Sequence, residues 1–116
     1  MTMKISEIVQ CLDAQVICGA EQLDKEVEYA FASDLMSDVL TVKKERMLLI
    51  TGLANLQTLR TAEMSDIEVV LFVRNKAVTE EMLELAQESD IVIIASPCTM
   101  FKVSGILYNH GLKPVY

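Results

Sequence analysis

The chain has 116 residues, of which 10 are Lys or Arg and 17 are Asp or Glu, so its formal net charge is −7. This length suits one domain, and an apolar fraction of 52% is enough for a packed core, which excludes a disordered chain. The acidic balance argues against nucleic acid and anionic membranes as partners, because both select basic surfaces.

The sequence also predicts a compartment. Its longest apolar runs, Val69–Val73 and Ile91–Ala95, are far shorter than the roughly 20 residues that a membrane span requires. A basic start followed by an apolar signal region is missing. The three cysteines lack C-x-x-C spacing and suit neither a disulfide framework nor a zinc knuckle. We therefore expect a cytoplasmic protein.

The first forty residues alternate between helical and extended patterns. Apolar side chains at helical spacing predict a helix over about residues 4–12. A short strand over 16–18 follows, and the alternation over 27–31 predicts one strand with a single buried face. Ser33 and Asp34 are residue types that cap helices, so a short helix is expected directly after them.

From residue 47 onward, three solid apolar runs are separated by amphipathic segments. The runs cover about residues 47–50, 67–73 and 91–95, and such runs are typical of strands covered on both faces. The intervening helices have the length that favours right-handed parallel crossovers. We therefore predict a single α/β domain over residues 1–116, with a central, mostly parallel sheet flanked by helices.

Residue types at the helix ends mark the later boundaries. Thr79 is expected to cap the helix before the third run. The last helix is expected to end at Gly111, with Pro114 as a further stop signal. His110, the only histidine, precedes that glycine and suits a capping role in the last turn.

Three loops of the predicted sheet arrive at the carboxyl edge, where open parallel sheets bind ligands. Each loop leads to a helix N-terminus, whose free amides attract anions, so ordinary helix capping and an anion or phosphate site are both open. The candidate ligand-binding residues of these loops are Thr51, Gly52, Arg74, Asn75, Ser96 and Thr99.

Few residues of this sequence suggest catalysis, and we assign no catalytic residue, metal or cofactor. The four glycines do not form a nucleotide-binding loop. Cys98 precedes a helix, where a thiol pKa is sometimes lowered, but a small buried apolar side chain is the simpler interpretation. Glu80, Glu84 and Glu88 share one helix face and are interpreted as a solvated face rather than a metal site.

Several stretches, in this order, resemble the DRTGG domain family. They are Met3–Val9, Val16–Gly19, Ala32–Leu40, Thr79–Ala86 and Thr99–Tyr108. The resemblance covers nearly the whole chain and implies a fold similar to the N-terminal domain of HPr kinase/phosphorylase. It also implies a regulatory or dimerising module without catalytic residues of its own. Because free-standing copies of the domain often accompany iron hydrogenase subunits, the implied partner is a hydrogenase or signalling component.

The chain departs from the motif that gives the family its name. The Asp-Arg half would follow the first solid strand, where this chain has Thr51 and Gly52. The Thr-Gly-Gly half would follow the next strand, where it has Arg74 and Asn75. The ligand that the motif serves in other members is therefore not implied for this chain.

Taken together, the residues and the resemblance predict a non-catalytic regulatory or scaffold domain that homodimerises and acts on a partner protein. The alternative is a sensor of a nucleotide or phosphate at the carboxyl edge, and an enzyme using Cys98 is a third hypothesis. Leu35, Met36 and Val39 are the candidate dimer residues, because their short helix is apolar on more than one side. The competing interpretation is that all three pack inward.

Overall fold

Eight strands, five α-helices and one 3₁₀ turn follow one another in residues 2–116, the part of the chain that the computed structural model describes. In chain order they are β1 (Met3–Lys4), α1 (Ile5–Leu12), β2 (Gln15–Cys18), the 3₁₀ turn (Ala20–Gln22), β3 (Glu26–Val27), β4 (Tyr29–Ala32), α2 (Met36–Val39), β5 (Met47–Thr51), α3 (Leu56–Met64), β6 (Val69–Phe72), α4 (Glu80–Glu88), β7 (Val92–Ala95), α5 (Met100–Asn109) and β8 (Lys113–Pro114). No helix among the described residues is long and apolar enough to cross a bilayer.

Six strands form the central sheet, in the order β2-β7-β6-β5-β4-β8. All neighbours are parallel except β2, which runs antiparallel to β7 at one edge. The register places Leu48 opposite Val69, and Val69 opposite Val92. The three solid apolar runs are therefore parallel strands, as predicted, and β1 and β3 form a separate antiparallel pair.

Side chains of the central strands alternate between two cores, one on each face of the sheet. Leu48 and Ile50 of β5 belong to the core that α1 and α5 cover. Met47 and Leu49 of the same strand belong to the core under α2, α3 and α4. All four side chains are buried. The molecule is thus a three-layer sandwich with the sheet in the middle.

The alternating segment 27–31 is not one strand, contrary to the prediction. Val27 pairs with Met3 in the small sheet, whereas Tyr29 begins a strand of the central sheet. The break falls at Glu28, because the amides of Glu28 and Tyr29 both donate to the carbonyl of Arg46, at 2.8 and 3.1 Å. A local alternation cannot show that its two halves belong to different sheets.

The short helix α2 begins at Met36, and Asp34 does not cap it. The Ser33 hydroxyl instead accepts a hydrogen bond from the amide of Leu35 at 3.0 Å. Met36 and Val39 are 8% and 0% exposed and pack in the core beneath α2. Met36 and Val39 therefore pack inward, as the competing interpretation predicts, and they are not available for a dimer contact. Leu35 is the one dimer candidate that lies on the surface, at 57%.

The last strand, β8, has no counterpart among the predicted strands. Helix α5 ends before Gly111, as predicted, and that residue adopts a φ of 99°. The chain then adds Lys113 and Pro114 in parallel to β4, with the Lys113 amide donating to the Glu28 carbonyl at 3.0 Å. Pro114 is tolerated because it lies on an edge strand, where a missing amide breaks no inner ladder.

Candidate functional site

The carboxyl edge of the central sheet brings the three predicted loops together. The Val73 amide donates to the Thr51 carbonyl at 3.1 Å, and the Ser96 amide donates to the Phe72 carbonyl at 2.9 Å. These bonds continue the sheet ladder past the ends of the strands. The loops after β5, β6 and β7 therefore lie side by side, as the parallel order predicts.

A topological switch point lies within this edge, between β6 and β7. The loop after β6 leads to α4 on one face of the sheet, whereas the loop after β7 leads to α5 on the other face. Ligands of open α/β sheets bind where neighbouring connections diverge in this way. Four of the six candidate residues, Arg74, Asn75, Ser96 and Thr99, belong to these two loops.

Main-chain hydrogen bonds bridge the crevice at the switch point. The Arg74 amide donates to the Cys98 carbonyl and the Asn75 amide donates to the Ser96 carbonyl, both at 3.0 Å. Both donors have left-handed backbone, with φ values of 65° and 52°. Their amides are thus engaged within the chain, while the Arg74 and Asn75 side chains are exposed to solvent.

The other two switch-point residues serve the turn that opens α5. Ser96 is fully buried, and its hydroxyl accepts from the Cys98 amide at 3.2 Å. The Thr99 hydroxyl accepts from the Lys102 amide at 3.3 Å, which makes Thr99 the N-cap of α5. The capping interpretation of this loop is therefore confirmed, and Arg74 is the cation that lies beside it.

Asp34 also lies at this edge, although it is not among the six residues predicted for the site. One oxygen of its carboxylate accepts from the Thr51 hydroxyl and from the Gly52 amide, both at 2.8 Å. The donors at Thr51 and Gly52 are therefore engaged by a negative charge from the chain itself, so an anion at this edge must bind nearer to Arg74. The available signal was the place of Asp34 directly after β4, which the cap-like Ser33-Asp34 pair obscured.

The cysteines and the histidine do not form a nucleophilic site. His110 Nδ1 lies 2.9 Å from the Ile106 carbonyl oxygen in the last turn of α5, in agreement with its capping role. Cys98 is half-buried against the core under α5, and all three thiols are free. Burial raises the pKa of Cys11 and of Cys18, which keeps these thiols protonated. Across residues 2–116, no three His, Cys, Asp or Glu side chains are placed to hold a metal ion.

A second surface, on α5, was not predicted from the sequence. Phe101 is 90% exposed and Tyr108 is 67% exposed, and both lie with Gly105 along one helix face. We call Phe101, Gly105 and Tyr108 the α5 face. The helical spacing of these residues is visible in the sequence, but the face that the core leaves uncovered is known only once the inner residues Val103 and Leu107 are placed.

An apolar cleft of about 170 Å³ adjoins the α5 face, between the C-terminal half of α5 and the strands β4 and β8. Its walls include Ala30, Ala32, Ile50, Leu107, Tyr108 and Leu112. Lys113 stands at its rim and forms an ion pair with Glu28 at 3.3 Å. The cleft and the α5 face share Tyr108 and so form one continuous apolar surface.

Comparison with known proteins identifies the family. The DRTGG domain family matches residues 7–109, and the chain belongs to this family. A structure of the CBS and DRTGG domains of the regulatory region of Clostridium perfringens pyrophosphatase, complexed with the activator diadenosine tetraphosphate, has the same fold, with a TM-score of 0.70 at 16% identity. The alignment covers 90% of this chain and 45% of that one, so this chain spans less than half of that regulatory region. No curated protein matches the sequence.

Proposed function

We propose that this chain is a non-catalytic regulatory domain that works by binding a protein surface through the α5 face. The observation that carries the proposal is the exposure of Phe101 and Tyr108 two turns apart on one helix. Aromatic side chains dominate the binding energy of protein interfaces because they remove large apolar areas from water. Contiguous apolar patches of this kind mark interaction sites on small domains.

Family membership and the structural relative support the regulatory part of the proposal. The relative is the regulatory region of an enzyme, and it is the activator of that enzyme that occupies it. The three free thiols of this chain fit a reducing cytoplasm. We propose a hydrogenase, electron-transfer or signalling protein as the partner, in line with the resemblance described above.

The test is co-purification of the tagged chain from its native cells, with the variants Phe101→Asp and Met64→Asp. Met64 is the matched control, because it is 70% exposed on α3, on the other face of the sheet. Wild type and Met64→Asp are expected to retain the same partner, and Phe101→Asp is expected to lose it. Retention of that partner by Phe101→Asp would contradict the proposal.

A second candidate function is the sensing of a phosphate-bearing ligand at the switch point. The specific observation is the cation Arg74, exposed at the point where the connections after β6 and β7 diverge. Phosphates are bound by Arg side chains together with helix N-termini, and α5 begins at this crevice. The dinucleotide polyphosphate in the structural relative belongs to the same ligand class.

Titration calorimetry with inorganic phosphate, ATP and diadenosine tetraphosphate tests this second function. Arg74→Ala is expected to weaken binding by about tenfold or more, which is the scale of one lost charge-assisted contact. Lys76→Ala is the control, because it removes an equal charge from the same exposed loop. The absence of heat from the wild type at millimolar ligand, or equal losses in both variants, would contradict a site at Arg74.

A further inference from the structure

We infer that the edge strand β2 binds an extended segment of a partner protein, and that this segment carries a basic side chain. The segment adds to the open side of β2, and its Lys or Arg side chain enters a crevice beside the strand. This inference goes beyond the proposed function, because β2 and β8 are opposite edges of the sheet and the cleft beside the α5 face adjoins β8.

The open side of β2 is the first observation. This strand ends the order of the central sheet, and within residues 2–116 no main-chain hydrogen bond joins it to an element other than β7. Its apolar residues Val16 and Ile17 are only partly buried. An edge strand of this kind presents unpaired amides and carbonyls, which are the groups that an extended peptide pairs with.

The contrast between the two sheet edges is the second observation. At the opposite edge, β8 consists of Lys113 and Pro114, and lysine and proline are residue types that protect an edge from added strands. The sequence of β2 is Gln-Val-Ile-Cys, with neither a charge nor a proline. Its protective feature is a bulge at Ile17, which has no partner in the register with β7. Because the bulge shortens the straight edge, an added segment requires further contacts beside the strand.

A crevice of about 300 Å³ beside β2 offers these contacts. Residues 16–22, from β2 and the 3₁₀ turn, line one side of it, and the end of α4 with Asp90 and Ile91 lines the other. We call it the β2 crevice. In strand addition, main-chain hydrogen bonds supply affinity and pockets beside the edge select side chains of the added segment. The β2 crevice is placed for the second of these roles.

Charge identifies the side chain that fits the β2 crevice. Its walls carry the carboxylates of Glu21 and Asp90 and contain no Lys, Arg or His. Neither carboxylate forms an ion pair in the part of the chain that the structure describes. The negative end of the α4 dipole lies at the same place, since the helix ends at Glu88. A Lys or Arg side chain is therefore the complementary occupant.

Two further groups of the crevice support a cationic occupant. Burial raises the pKa of Cys18, and the charge of Glu21 raises it further, so the negative potential of Glu21 reaches this wall. Gln22 donates through Nε2 to the Asp90 carbonyl at 3.3 Å, whereas its buried Oε1 has no partner among residues 2–116. An acceptor without a donor favours an occupant that brings N–H groups.

A second copy of this chain does not meet the requirement. Its own β2 contains no cation, and its net charge of −7 opposes approach to an acidic crevice. We therefore assign the β2 edge to a segment of a different protein.

A random heptapeptide phage library supplies the probe, with the intact Phe101→Asp chain as bait so that the α5 face is disabled. The selected peptides are expected to share a Lys or Arg flanked by residues of high strand propensity. A selection that yields no peptide with a shared basic residue would overturn the inference.

Fluorescence anisotropy with a selected peptide tests the role of the crevice. Glu21→Gln and Asp90→Asn are each expected to weaken binding by about fivefold, the scale of one partly exposed charge pair. Asparagine is chosen at position 90 because the residue has a φ of 56°, which asparagine also adopts. Glu84→Gln is the matched control, since Glu84 is an exposed acid of α4 outside the crevice. Equal affinities in all three variants would contradict the assigned crevice.

Alternate N-methylation of the same peptide tests strand addition. Because successive amides of a strand point to opposite sides, methyl groups on one alternate set are expected to abolish binding and those on the other set to be tolerated. Hydrogen exchange of the chain is expected to slow at residues 15–18. Equal effects of the two methylated peptides, or protection at another part of the chain, would overturn the inference. The co-purification with Phe101→Asp tests the α5 face separately, so either result stands without the other.

Discussion

At the scale of single residues, two glycines occupy opposite environments. Gly19 has a φ of 90°, and a Cβ on it would lie 2.8 Å from Val92 Cγ2 and 3.0 Å from Val92 Cα. Gly105 has open space around the same position. Gly19 is therefore required by the fold, because it lets β2 turn away where it approaches the backbone of β7. Gly105 is not required by the fold of the single chain.

Alanine at these two positions is expected to change stability in opposite directions. Gly19→Ala should lower the free energy of unfolding by about 2–4 kcal/mol, through backbone strain and the clash with Val92. Gly105→Ala should raise it by about 0.5–1 kcal/mol, because alanine is the better helix former. Urea denaturation of the two variants measures both changes. A destabilising Gly105→Ala would reveal an intrachain need for that glycine.

Glu28 is the residue that ties β8 and the start of β5 to β4. Its carboxylate contacts Arg46 at 2.7 Å and Lys113 at 3.3 Å. The hydrogen bond from Arg46, assisted by Lys113, lowers the pKa of Glu28 below its ordinary value. A carboxyl whose pKa is lowered on folding stabilises the protein above its unfolded pKa, and this stabilisation is lost as the pH falls through the folded value.

Glu28→Gln is therefore expected to be less stable than the wild type at neutral pH. The difference should shrink once the pH falls below about 4.3, the ordinary glutamate pKa, and disappear at lower pH. Denaturant midpoints measured across this range provide the check. Glu68→Gln is the control, since the ion pair of Glu68 with Lys25 is exposed and contributes little. An unchanged difference at low pH would show that the charge of Glu28 is not what stabilises this junction.

At the scale of elements, α2 divides its apolar residues between core and surface. Met36→Ala is expected to lower stability by about 2–3 kcal/mol, because it leaves a cavity beneath α2. Leu35→Ala should change it by less than about 0.5 kcal/mol, because Leu35 is exposed. Urea denaturation of the two variants makes the comparison. Equal losses of stability in the two variants would contradict this division between core and surface.

At the scale of the whole molecule, the net charge opposes the homodimer that the sequence predicts. Each copy carries a formal charge of −7, so two copies repel each other at long range. Added salt screens this repulsion without weakening an apolar contact between the copies. The dissociation constant is therefore expected to fall as the ionic strength rises, as light scattering or sedimentation would show. A dimer that salt dissociates would instead be held by ion pairs between the copies.

Much of the architecture was predictable because it is encoded locally. The runs 47–50, 67–73 and 91–95 are continuous in apolar residues, and strands buried on both faces require that composition. Caps such as Thr79 and Thr99 are also local, since their hydroxyls accept from an amide three residues later. Parallel order then placed the candidate ligand loops at one edge of the sheet.

The features that the sequence left open depend on residues far apart in the chain. Asp34 belongs to the carboxyl edge because its carboxylate reaches Thr51 and Gly52, 17 and 18 positions away. Glu28 divides an apparently continuous strand because its amide donates a hydrogen bond to the Arg46 carbonyl.

By itself, the sequence determined the α/β class and the parallel order of the apolar strands, which are properties of short periodic segments. It also carried the resemblance of several stretches to the DRTGG family. Only the tertiary structure decided which apolar side chains pack in the two cores and which remain exposed to solvent. It buried Met36 and Val39 and left Phe101 and Tyr108 exposed. The physical reason is that helical periodicity marks an apolar side chain without showing which face of the helix another element covers.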